Sequence, residues 1–185
     1  AQALTGTLAP TAKVLTFDDA LQSQLDVALP VLEDNNIRGI FSVYSSVFSA
    51  QPDPLEVFAS FRADFFDDFD EFWGVFQDHT LARGPFLVDR MVADFQSDYL
   101  GFFPFYSDSE RRFRFLRDEI MGPDLYKATM WSLIESTPGF HLEEVVAALW
   151  MKPDGLKTLV SGGHAVGLHS HSHPTRMDRL PEQQQ

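Results

Sequence analysis

Apolar positions over the first fifty residues switch between two spacings. Val14-Leu15-Thr16-Phe17 is a short, apolar, β-branched run and predicts a strand. Leu21, Leu25, Ala28, Leu29 and Leu32 recur at three- and four-residue steps and predict a helix. Pro30 is expected to kink or restart that helix, and Asn35-Asn36 to end it by visiting the left-handed region. Gly39 to Tyr44 reads as a second strand, so residues 1–48 form a βαβ unit behind a polar lead-in.

From 49 to 152 the pattern becomes helical and aromatic. Phe58, Phe61, Phe65, Phe69, Phe72 and Phe76 recur at helical intervals with Asp64, Asp67, Asp68 and Glu71 between them, which predicts one amphipathic acidic helix. Leu87 to Leu100 predicts another, and Phe102 to Tyr106 an aromatic turn. Asp108 or Ser109 is expected to cap a helix running to Asp118, broken by Gly122-Pro123. Leu125 to Glu135 and Leu142 to Met151 predict two more. Most of the 18 phenylalanines fall in this stretch, which predicts an insertion with a core of its own or a cover for the sheet. In residues 153–185, Gly155 to Ser161 predicts a short helix capped by Gly162-Gly163, Ala165 to Leu168 a third, buried strand, and Met177 with Leu180 the start of a further helix.

A length of 185 residues suits one domain, and 44% hydrophobic with 22% charged residues is globular rather than disordered. The net charge of −13 argues against a nucleic-acid partner. With no cysteine there is neither a disulfide framework nor a thiolate site. That composition suits the cytoplasm, with a secreted or periplasmic location still open. No apolar run approaches the roughly 20 residues of a membrane span, and Ala1 to Thr7 lacks the basic and apolar parts of a secretory leader.

The candidate chemistry lies in Gly163 to Pro174. His169 and His173 are four apart, so a helical turn after Leu168 would project both imidazoles from one face at metal-ligand spacing. His171 between them is expected to point away. A third ligand is needed, and Asp18-Asp19 at the end of the first strand supplies two adjacent carboxylates pointing opposite ways, one suited to an ion and one to a water. Arg111, Arg112, Arg114 and Arg117 form the basic cluster of an acidic chain. Ion pairing with nearby acids is its simpler reading, and ordinary core is that of the Phe-rich helices.

Thr16-Phe17-Asp18-Asp19-Ala20 and His169-Ser170-His171-Ser172-His173 resemble the first two motifs of the polysaccharide deacetylases, carbohydrate esterase family four. Leu29 to Val43 and Gly163-His164-Ala165-Val166-Gly167 resemble the family's intervening helix and strands, with Ala20 in place of glycine and Leu168 in place of asparagine. The resemblance implies an α/β fold, a partial distorted (β/α) barrel carrying a mostly helical insertion. It also implies a divalent metal, zinc before others, on Asp19, His169 and His173, with Asp18 as catalytic base. Thr16, His164, Arg114 and Arg117 would stand behind the site or towards substrate.

The implied activity is hydrolysis of an N-acetyl group from an amino sugar, in bacterial surface polysaccharide (lipopolysaccharide) metabolism, with homo-oligomerisation open. The family's later motifs, a base-orienting arginine and a general-acid histidine, are not matched. The alternative is therefore a non-catalytic metal- or carbohydrate-binding protein, or an interaction protein built around the Phe-rich helices.

Overall fold

The computed structural model of the chain describes residues 7, 9, 11–49 and 52–182. The chain divides into two compact units, Ala1–Asp53 with Val146–His173, and Pro54–Val145 with Pro174–Gln185. The expected boundaries at 48/49 and 152/153 shift to 53/54 and 145/146, the latter inside a helix. Residues 174–185 fall with the helical unit rather than continuing the sheet unit, because Arg176 and Arg179 both bind the carboxylate of Glu119. No helix among the described residues is long and apolar enough to cross a membrane.

The first unit holds a three-stranded, all-parallel sheet in the order β1 (Thr16–Asp18), β2 (Ile40–Tyr44), β3 (Ala165–Ser170). Between β1 and β2 the chain makes a π-helical stretch, Gln24–Ala28, that passes directly into α1 (Leu29–Asp34). Pro30 thus restarts the helix in its first turn, where the missing N–H costs nothing. Leu29, Leu32, Phe41, Val43, Met151 and Leu159 form the buried core of this unit.

The second unit is helical: α2 (Leu55–Phe65), α3 (Phe69–Arg83), α4 (Pro85–Asp94), α5 (Asp108–Phe115), a π-helical stretch Leu116–Met121, and α6 (Gly122–Glu135). α7 (Leu142–Leu149) leads back into the first unit, where α8 (Pro153–Ser161) precedes β3. The single Phe helix expected over 58–76 is two helices. Phe66 is extended and Asp68 caps α3 by accepting from Glu71 N, so a local side-chain bond ends one helix and starts the next. The aromatic period survives the break because both helices face one core: Phe58, Phe61, Phe72, Phe76 and Phe113 are almost wholly buried.

Other helix boundaries also move. The helix expected to Leu100 stops at Asp94. The cap of α5 is Ser107, in a reciprocal capping box with Glu110, not Asp108 or Ser109. Gly122-Pro123 opens α6 rather than merely breaking its predecessor, and Met177–Arg179 makes only one 3-10 turn.

Candidate metal centre

The carboxyl end of β1 is a strained turn. Asp19 (φ 78°) and Ala20 (φ 56°) both occupy the left-handed region, uncommon for side chains other than glycine. Three hydrogen bonds pin it. Gln24 Nε2 donates to the Asp18 carbonyl, Asp19 N donates to the Ser42 carbonyl at 3.0 Å, and Met151 N donates to the Ala20 carbonyl at 2.9 Å. Strain of this kind persists where surrounding structure over-determines it, and it clusters at functional sites.

The histidines do not sit on a helical turn. β3 runs on through Ser170, and its register against β2 slips by one residue: Val43 pairs with Leu168 but Tyr44 with Ser170. His169 is the extra residue, a β-bulge that re-aims its side chain. The chain then turns, and His173 adopts a left-handed conformation (φ 47°) with its N–H donated to Ser170 Oγ at 2.8 Å. Its ring stacks on buried Tyr44, centroids 5.0 Å apart at 15°.

Asp19, His169 and His173 each offer one ligand atom, and the three atoms lie within 4.8 Å of one another. Nε2 of His173 is 3.0 Å and Nε2 of His169 3.9 Å from Asp19 Oδ1. That oxygen is buried, and its short contact is to His173 Nε2, an ion pair when the imidazole is protonated and a second ligand atom facing the same space when it is neutral. Burial pushes the Asp19 carboxyl up from its usual range against the pull of both imidazoles, and burial pushes His173 down despite the Asp19 charge. Two imidazole nitrogens and one carboxylate oxygen are the donors zinc takes in three-ligand sites, so this donor set would suit such an ion.

Asp18 is exposed, makes no side-chain hydrogen bond among the described residues, and acts on Asp19 and His173 through its charge. Thr16 is exposed on β1, paired with Ile40. His171 turns aside to hydrogen-bond Ser45 Oγ at 2.9 Å. His164 is buried but precedes β3, at the opposite end of the sheet from the cluster, where its Nδ1 accepts from Gly39 N at 3.1 Å. It does not lie behind the Asp19, His169 and His173 cluster.

Arg114 and Arg117 belong to the helical unit. Arg114 stacks over Tyr106 at 4.1 Å, and Arg117 makes a two-pronged ion pair with Asp118 at 2.7 Å. Sequence reasoning missed Gln24, Tyr44, Ser170 and the bulge. Only Ser170, inside the histidine run, carried a local signal. Compared with models of protein families, with curated proteins and with solved structures, the chain matches none.

Proposed function

We propose that the chain is a metal-dependent hydrolase that removes an N-acetyl group from an amino sugar, with its three strands as part of a distorted (β/α) barrel of the polysaccharide deacetylase kind. One observation carries the reading: a carboxylate oxygen from the end of β1 and two imidazole nitrogens from β3 and its following turn converge within 4.8 Å. The position at the carboxyl ends of parallel strands, where ligands of open α/β sheets bind, supports it. Asp19, His169 and His173 would hold a divalent ion, zinc by donor type. When bound, such an ion supplies Lewis-acid polarisation of the acetamide carbonyl.

The chain's own residues do the rest. Asp18 presents open carboxylate oxygens beside the cluster and takes the proton of the attacking water. The stack of Tyr44 on His173 fixes that imidazole's plane and keeps water from one of its faces. An N-acetylated sugar is the partner, nucleic acid is not, and bacterial surface polysaccharide metabolism is the setting carried over from the resemblance.

The test is acetate release from N-acetylglucosamine oligomers by zinc-loaded protein, beside zinc and sugar binding. Asp18→Asn is expected to keep both binding activities and lose acetate release by about a hundredfold or more, the scale of a general base. Zinc and sugar binding without acetate release from any such oligomer would replace this reading with a non-catalytic metal- and carbohydrate-binding protein.

A further inference from the structure

Two arginines of the helical unit, Arg62 and Arg114, face one cavity without a carboxylate partner among the described residues. Acidic residues outnumber lysine and arginine 27 to 14, and Arg90, Arg111, Arg112, Arg117, Arg176 and Arg179 each pair with a carboxylate. Arg62 and Arg114 make no hydrogen bond and no ion pair among the described residues. Both line one cavity of about 240 Å³ at the break between α2 and α3, facing α5.

The central carbon of the Arg62 guanidinium lies over three rings, 5.3 Å from the centroid of Phe113, 5.9 Å from Phe72 and 6.0 Å from Phe69. Ring faces satisfy the cation's face but not its N–H donors, which lie in the guanidinium plane and point outward at its edge. Burial lowers the pKa of Arg62 from its ordinary value, and the charges of Arg117 and Arg114 lower it further against the opposing pull of Tyr126 and Glu56.

Three acids share the wall, yet two are engaged: Asp68 accepts from Glu71 N, and Glu110 from Ser107 N. They do not neutralise the arginines, but they set which anion is tolerated. A dianion such as phosphate meets their repulsion. A single carboxylate matches the planar fork of a guanidinium with one charge. The apolar remainder of the lining, including Phe66, suits an apolar body. The volume exceeds the roughly 150 Å³ of an engineered cavity that takes benzene.

We propose that this cavity is a binding site for a small organic carboxylate, held by the Arg62 and Arg114 guanidinium groups against the aromatic wall. The test titrates the full chain with benzoate, and separately with inorganic phosphate, at constant ionic strength, following amide chemical shifts by NMR. Benzoate is expected to saturate with shifts centred on α2, α3 and α5, and more tightly than phosphate. Arg62→Gln should weaken it about tenfold or more, Arg62→Lys should not restore it because the fork is lost, and Arg90→Gln should leave it unchanged. If Arg62→Gln does not fold, the wild-type shift map and Arg114→Gln, with a several-fold loss, decide. Unsaturable benzoate binding, affinity indifferent to both arginines, or phosphate binding as tightly as benzoate would each overturn the proposal.

Discussion

Replacing Asp19 by asparagine should separate the stability of the β1 turn from its capacity to hold a cation. In the wild type Asp19 Oδ1 is buried, lacks a hydrogen-bond partner among the described residues, and faces His173 Nε2 at 3.0 Å. In the tautomer that leaves Nε2 free for a cation, with the imidazole neutral and its proton on Nδ1, two acceptors confront each other. An asparagine of the same shape can turn Nδ2 towards that nitrogen and donate to it. Exchanging an unsatisfied buried acceptor for a hydrogen bond is worth about 1–2 kcal/mol. For a unit the size of the sheet half, that is a rise in Tm of roughly 5–10 °C for the metal-free protein.

Zinc should act the other way. At free zinc a hundred times its Kd the wild type gains about 2.7 kcal/mol, enough to raise Tm by roughly 10 °C or more. The variant, having lost its anionic donor, should gain little. Thermal melts of both proteins, chelated and with zinc, give all four values in one experiment. A metal-free Asp19→Asn protein less stable than wild type would show Asp19 to be a structural ion-pair partner of protonated histidine. An equal zinc-induced rise in both proteins would place the ion elsewhere.

Zinc affinity measured against pH should fall on acidification, since neutral imidazoles and an ionised Asp19 are needed. Burial lowers the His173 pKa, so competition by protons at that ring should set in below its ordinary 6.5 rather than at it. Gly163 closes α8 at φ 82°, with its own N–H on Val160 and the next N–H, from His164, on Leu159. Gly163→Ala should cost about 1–2 kcal/mol in melts, by left-handed strain, without changing zinc affinity at the far end of β3. Phe113 touches five other rings and is 1% exposed, so Phe113→Ala should cost about 4 kcal/mol and broaden or abolish the urea transition of the helical unit.

Much of the sheet unit was legible because short apolar runs and glycine or asparagine punctuation are local signals. The three strands fall on Val14–Phe17, Gly39–Tyr44 and Ala165–Leu168 to within two residues. The acid and the histidines could be nominated because metal chemistry restricts ligand types. How they meet was not legible. Spacing of four suggested one helical face, whereas a register slip at His169 and a left-handed residue at His173 do the work, and both depend on pairing with a strand far away in sequence.

In the helical unit the Phe period ran through a boundary set by one Asp68 side chain, because periodicity reports the face turned to the core and not the continuity of the backbone. The cap of α5 went to Ser107 because Glu110, three residues on, completes its reciprocal bond. A capping choice shifted by one position is invisible to apolar spacing.

The hydrogen bond from Gly39 to His164 joins residues 125 positions apart, at the start of two neighbouring strands. That separation sets an order of events. β1 and β2 can pair as soon as a short helical connection forms, but β3 can dock only after the intervening chain has been shortened into helices, since closing a long open loop costs entropy before any contact repays it. Asp19 arrives with the first strand and both histidines with the last. At synthesis rates of about 5–20 residues per second, the acid waits on the order of ten seconds for its partners. Cation capture at the proposed site would therefore be the closing step of assembly, a reporter of a finished sheet rather than a seed for it, and a zinc-dependent signal followed during refolding should trail the appearance of helix.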